Sequence, residues 1–240
     1  MVKSAEGKDL KEDLSNYDPD AYENPSVTVD ICICTIRNNQ IEVLVIKRRY
    51  SPFKGKWAIP GGFLEPSKNE TLEEAAAREL KEETHLKNIY IEQLKTYGDP
   101  GRDPRTRVVT VVYFALIPYS TLKNQTIKAD DDAEDYKWIS LRKLPKLAFD
   151  HNKILKDLLV RLRGKISYTD IAFSLLPRYF TWTELQKVFE IVLGRSLTAP
   201  NFRRKMEALY HFKKMKIKKG QFIGRPPTYM RYKGLKDNMV

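Results

Sequence analysis

Residues 61–86 read Gly-Gly-Phe-Leu-Glu-Pro-Ser-Lys-Asn-Glu-Thr-Leu-Glu-Glu-Ala-Ala-Ala-Arg-Glu-Leu-Lys-Glu-Glu-Thr-His-Leu, and no other segment limits the fold and chemistry of the chain as tightly. Thr71-Leu-Glu-Glu74 has the form of a capping box and predicts a helix from about Thr71 to His85. At about 100° per residue, Glu82 and Glu83 fall roughly 60° and 40° to either side of Glu79, so the three carboxylates share one face. A face of oxygen ligands suits Mg²⁺ or Mn²⁺ better than zinc. Runs of glutamate are more often solvated faces. Here a Gly-Gly turn lies just upstream, the strand-like Trp57-Ala58-Ile59-Pro60 precedes it, and Ala76, Ala77 and Leu80 form an adjoining face expected to be buried.

This segment resembles the Nudix box, the family pattern of Gly, five residues, Glu, seven residues, then Arg-Glu-apolar-any-Glu-Glu-any-Gly-apolar. Glu70, Arg78, Glu79, Leu80, Glu82, Glu83 and Leu86 occupy pattern positions. Two positions depart. Gly62 stands eight residues before Glu70 where the pattern has six, an insertion around Pro66 to Lys68 expected to shift the Gly-Gly turn from the carboxylates. His85 replaces the glycine that closes the helix in a left-handed conformation, which His tolerates better than most residues.

At 240 residues the chain has room for one large or two small domains. The apolar stretch from Val108 to Pro118 is too short to span a bilayer and reads as a buried strand, and Met1 to Glu6 lack the apolar core of a secretory signal. The only cysteines, Cys32 and Cys34, alternate on one strand face, which fits core packing better than a metal site and suits a reducing cytoplasm. His85, His151 and His211 are scattered, which argues against zinc or histidine-based catalysis.

Charge divides the chain. From Ile166 onward there are fifteen Lys and Arg against five Asp and Glu, a net +10, whereas residues 1–165 hold 28 against 26. A near-neutral part joined to a cationic one is the profile of a catalytic or sensing domain linked to a nucleic-acid-binding domain. The periodicity agrees. Residues 1–24 read as a polar extension. Residues 25–165 show strands at Ser26 to Ile36, Gln40 to Arg49, Ile89 to Lys95, Val108 to Leu116 and Tyr136 to Ser140, with helices near Thr71 to His85 and Asp150 to Gly164. In residues 166–240 a short helix at Tyr168 to Leu176 is followed by one opened by the capping box Thr181-Trp-Thr-Glu184 and ended by Gly194. A third, capped by Thr198, follows, and then a hairpin from Lys213 to Tyr232. That order predicts a winged helix-turn-helix. Asn201, Arg203, Arg204 and Lys205 would face base edges and phosphates of double-stranded DNA, with Lys218, Lys219 and Arg225 on the wing at the backbone. Phe202, Met206 and Leu209 would pack inward.

The whole chain resembles the NrtR-type transcriptional regulators, which pair a Nudix domain with a winged helix. Gly101-Arg-Asp-Pro-Arg105, Phe180-Thr-Trp-Thr-Glu-Leu-Gln186, Asn201-Phe-Arg-Arg-Lys205 and Gly224-Arg-Pro-Pro227 carry the likeness. It implies an α/β (α+β) fold, a Nudix α/β/α sandwich followed by a winged helix-turn-helix, acting as a homodimer that senses ADP-ribose or a related nucleotide sugar and controls NAD metabolism. A related arabinose-sensing branch shares the architecture, so the ligand is not fixed by architecture. Many such regulators have a degraded Nudix box, yet Arg78, Glu79, Glu82 and Glu83 are all present here. The alternative is therefore an active Mg²⁺-dependent ADP-ribose pyrophosphohydrolase with an accessory DNA-binding domain. In that reading Glu79, Glu82 and Glu83 hold the metal with a carbonyl near Gly62, and Arg78 orients Glu82. Glu83 or Glu134, in an acidic loop, serves as general base. Arg102 and Arg105 pair with ligand phosphate or ribose, and Asp103 accepts from its hydroxyls. The helix from Asp150 to Gly164 is the expected lever between the domains.

Overall fold

The computed structural model describes residues 18, 21–86, 89–122, 133–215 and 227–236. β1 (Ser26–Arg37) and β2 (Gln40–Arg48) form an antiparallel hairpin whose turn residues Asn38 and Asn39 have φ of 51° and 58°, a conformation asparagine accepts readily. β3 (Trp57–Ala58) pairs antiparallel with β2, and β4 (Gly61–Phe63) pairs antiparallel with β1. α1 (Leu72–Thr84) follows, then β5 (Tyr90–Tyr97), β6 (Val108–Leu116), the single-turn α2 (Tyr119–Leu122), β7 (Ala133–Ser140) and α3 (His151–Lys165). The seven strands make one sheet with the path β3-β2-β1-β6-β5, β4 adding to β1 and β7 to β2. β1 and β6 are parallel, with Val29 opposite Val111 and Cys34 opposite Leu116.

Strand alternation places a core on each face of this sheet. Val29, Ile31, Ile33, Val111 and Tyr113 pack with Ala75, Ala76 and Leu80 of α1. Cys32, Cys34, Val43, Val112 and Phe114 pack with Ile154, Leu155, Leu158 and Leu162 of α3. The α/β/α sandwich is the result. Two details of α1 differ from expectation or refine it. Ala75 rather than Ala77 joins the buried face, Ala77 being exposed, because the stripe facing the sheet runs through positions 76 and 80 and takes in the residue before 76. His85 does adopt the left-handed cap, with φ 56° and its N–H donated to the Lys81 carbonyl. Both cysteines are free and fully buried, and burial pushes their thiols up.

Beyond α3 the chain makes a 3₁₀ turn (Ile171–Leu175) where a helix was expected, then α4 (Trp182–Leu193), α5 (Ala199–Leu209) and the antiparallel pair β8 (Tyr210–Met215) and β9 (Tyr229–Leu235). Both halves of the Thr181–Glu184 capping box form, and Gly194 closes α4 at φ 78°. Thr198 stands at the N-cap of α5 without a side-chain capping bond, and Pro200 within the first turn removes one N–H that would need a partner. The hairpin begins at Tyr210, three residues earlier than expected, directly from α5. Leu175, Phe180, Leu185, Val188, Phe202 and Met206 belong to the same buried cluster as the α3 side of the sandwich, so one apolar core runs through both domains. Among the described residues no helix is long and apolar enough to cross a membrane.

Candidate functional site

The capping box fixes where α1 begins, and the acidic face of the helix meets β4. Arg78 sits at the centre of that face. It donates to both oxygens of Glu70 at 3.0 Å, and its Nη1 reaches Glu79 at 2.7 Å and Glu82 at 3.3 Å. Glu70 is thus the main partner of Arg78, and Glu82 the most distant of the three. These pairings hold the Glu70 carboxyl below its ordinary range, the Arg78 hydrogen bonds first, and raise Arg78 in turn. Glu79 and Glu83 are buried. Among the described residues no three acidic, histidine or cysteine side chains stand close enough to share one ion. One guanidinium, that of Arg78, holds Glu79 and Glu82.

The inserted residues do not separate the Gly-Gly turn from α1. Pro66–Lys68 form a single 3₁₀ turn closed by Asn69 at φ 50°, and the excess chain is taken up there. A Cβ on Gly62 would lie 2.5 Å from Oε1 of Glu79, so the turn still lies against the acidic face. A Cβ on Gly61 would collide with Asp30 Oδ1. Both glycines are needed for close approach.

On the other side of β4 lies a cleft of about 180 Å³, bordered by Asp30, Gly62, Phe63, Arg105, Phe149 and His151 among others. Arg102 also lines it, but its side chain is only 5% exposed and forks onto Asp150 at 2.8 and 3.1 Å, with Asp30 at 3.8 Å. Asp30 also accepts from Thr110 at 2.8 Å. This buried pairing ties the loop after β5 to the start of α3. Asp103 accepts from the backbone N–H, Nε and Nη2 of Arg105 at 2.9, 3.0 and 2.7 Å. Burial alone would raise Asp103, and these bonds hold it below the usual carboxylate range. Arg105 stays 42% exposed, over the Phe63 ring at 5.4 Å. His151 Nδ1 accepts the Ile59 N–H at 2.8 Å, and burial lowers its pKa to about 4.

Asp30, Asp150, Phe149 and His151 were not singled out as site residues from the sequence. Asp30 had left a signal, as a charge inside the otherwise apolar Val29 to Ile33 segment. Glu134, expected in an acidic loop, lies instead at the start of β7, whose pairing with β2 extends to that end of the strand.

In the second domain Asn201, Arg203, Arg204 and Lys205 are all exposed on α5, while Phe202 and Met206 are buried and Leu209 is partly so. Arg203 pairs with Glu207 at 3.0 Å and lies over the Trp182 ring at 5.1 Å; Arg204 donates to Asn201 at 3.4 Å. Lys218, Lys219 and Arg225 lie outside the described residues.

Comparison with known proteins matches residues 27–158 to the NUDIX domain and residues 172–232 to the NrtR DNA-binding winged helix domain. The ADPR responsive transcriptional repressor NtrR of Acinetobacter baylyi is 39% identical over 195 residues, 80% of this chain and 76% of that protein. An ADP-ribose pyrophosphatase of Methanocaldococcus jannaschii is 44% identical over 147 residues, 61% of this chain and 79% of that protein. The crystal structure of Shewanella oneidensis NrtR complexed with a 27mer DNA superposes with a TM-score of 0.72 at 35% identity, covering 86% of this chain and 93% of that one. With both domains matched in this order, the chain belongs to the NrtR family of Nudix-domain proteins.

Proposed function

We propose that this protein is a DNA-binding transcriptional regulator whose Nudix domain senses ADP-ribose or a related NAD metabolite and so controls NAD metabolism. The observation that carries this reading is the exposed set Asn201, Arg203, Arg204 and Lys205 on α5, built on the same apolar core as the Nudix cleft. Base-edge and phosphate contacts are what Asn and Arg on a recognition helix make. The kinship to an ADPR responsive repressor supports ADP-ribose as the ligand. In the cleft Arg105, over a third exposed, is a cation available to a ligand phosphate, and the exposed ring of Phe63 beneath it offers a stacking surface. Arg102, held by Asp150, and Asp103, held by Arg105, shape the wall instead. The cleft is smaller than the roughly 300–1,000 Å³ of sites that enclose a whole cofactor. ADP-ribose would therefore widen it and shift α3 through the Arg102–Asp150 fork. As a homodimer, two winged helices meet half-sites about one helical turn apart, so a small rotation of α3 changes operator affinity.

A second activity has its own support in the complete set of Glu70, Arg78, Glu79, Glu82 and Glu83 against Gly62. The oxygen-only donors fit a hard divalent cation, Mg²⁺ or Mn²⁺, which would supply charge neutralisation for a diphosphate. Glu79, Glu82 and Glu83 with the Gly62 carbonyl would hold it, and Arg78, fixed by Glu70, would keep Glu79 and Glu82 in place. Glu83 or Glu134 would accept the proton of the attacking water. One experiment addresses both activities: incubation with ADP-ribose and Mg²⁺ while AMP release and binding to the upstream DNA are followed together. Operator release with ADP-ribose supports the regulator, and AMP formed by the wild type but not by Glu82→Gln supports the hydrolase. DNA binding indifferent to ADP-ribose would reject the sensing role.

A further inference from the structure

The recognition helix does not account for all the concentrated positive charge. A second cleft, of about 720 Å³, runs between the segment after β7 and the outer side of α3. Arg142, Lys146, Lys156 and Arg163 line it, with no carboxylate among its lining residues. Lys156 and Arg163 are seven residues apart, two turns along one face of α3. All four are exposed, and among the described residues none forms an ion pair with an acidic group. Cations gathered along one cleft without carboxylates make it a positive surface that attracts anions.

The cluster is also joined to the reading head. Arg142 Nη2 donates to the Ile191 carbonyl and Arg163 Nε to that of Val192 at 3.3 Å, so two cations sit on the C-terminal turn of α4, where the helix dipole favours them. Arg142 packs so closely there that a Cβ on Gly194 would lie 2.7 Å from its Nη2. Just past that turn, Arg195 and Lys205 line a neighbouring recess with Asn201 of α5. Basic groups thus run from Lys146 and Lys156, across the end of α4, to the recognition helix.

We propose that the α3 cleft is a second DNA-backbone contact. Phosphates flanking the bases read by α5 lie on Lys146 and Lys156, while Arg142 and Arg163 fix the cleft to α4. The inference rests on the DNA-binding reading above and extends it to a surface of the Nudix half. Such contacts carry no sequence information but add to the number of counterions released, at about 0.9 unit of log K against log salt per phosphate.

The test uses the full chain. Affinities for operator and for an unrelated duplex are measured between low and moderate salt for wild type, Lys146→Ala/Lys156→Ala, Arg203→Ala/Arg204→Ala and, as a control on α1, Lys81→Ala. The lysine pair is expected to reduce the steepness of the salt dependence by about two per bound protomer, about four for the homodimer, on both duplexes, with operator preference kept. Lys81→Ala should leave it unchanged. An unchanged slope in the lysine pair overturns the proposal, as does loss of inorganic pyrophosphate binding in that variant with the duplex slope intact, which would assign the cleft to a small anion. Loss of operator preference in the arginine pair, alongside an unaltered lysine-pair slope, would leave the recognition helix standing and remove only the α3 contact.

Discussion

His151 makes the stability of the ligand cleft depend on pH in a way that can be calculated. Its Nδ1 accepts the Ile59 N–H, its ring is 3% exposed, and burial lowers its pKa from 6.5 to about 4, with Asp30 opposing and Arg102 and Arg48 reinforcing. The folded protein therefore resists the proton that the unfolded chain takes up below pH 6.5. Stability is full above that value and is lost as pH falls toward 4. Integrating the difference in bound protons gives a loss of roughly 2 kcal/mol between pH 7 and pH 5, and about 3 kcal/mol by pH 4. His151→Asn keeps an acceptor near Nδ1 but does not titrate in this range. Urea unfolding at pH 7 and pH 5 should show the wild type losing roughly 2 kcal/mol more than the variant, the carboxylates being common to both. Equal losses in the two proteins would refute the burial and the hydrogen bond on which the calculation depends.

Three further outcomes follow from the geometry. Gly62→Ala puts a Cβ 2.5 Å from Glu79 Oε1, which must retreat by about 1 Å; any AMP release should fall about a hundredfold with folding intact. Arg102→Met leaves Asp150 and Asp30 without their buried cation and should cost about 3–5 kcal/mol in urea unfolding. Arg203→Ala/Arg204→Ala should remove operator preference in a band-shift titration while the melting temperature stays within a few degrees, since both side chains are exposed.

Local signals carried the parts of the molecule made by neighbouring residues. The Thr71–Glu74 and Thr181–Glu184 boxes, the Asn38-Asn39 turn and the apolar period of α3 each specify their own element, and each forms. Contacts between distant segments were not legible in the same way. The cleft gathers Asp30 from β1, Gly62 from β4, Arg102 from a loop and His151 from α3, and contacts between distant segments bring them together: β4 pairs with β1, β6 lies parallel to β1 about eighty residues away in sequence, and His151 bonds the Ile59 N–H. The effect of the insertion was equally hidden. Counting residues measures the chain between Gly62 and Glu70, but a 3₁₀ turn takes up residues 66–68 and Gly62 still lies against Glu79. Sequence spacing also placed Glu79, Glu82 and Glu83 on one face without saying that Arg78, drawn mainly to Glu70, would divide them.

The central claim is that a ligand in the Nudix cleft and DNA on α5 are energetically coupled. Calorimetric titration of ADP-ribose into the protein, alone and saturated with operator duplex, tests it most directly, because linkage requires each ligand to change the affinity of the other by the same factor. The expected result is a 5- to 150-fold difference between the two ADP-ribose affinities, about 1–3 kcal/mol, matched by the shift ADP-ribose causes in operator affinity. Identical ADP-ribose affinities with and without operator would contradict it.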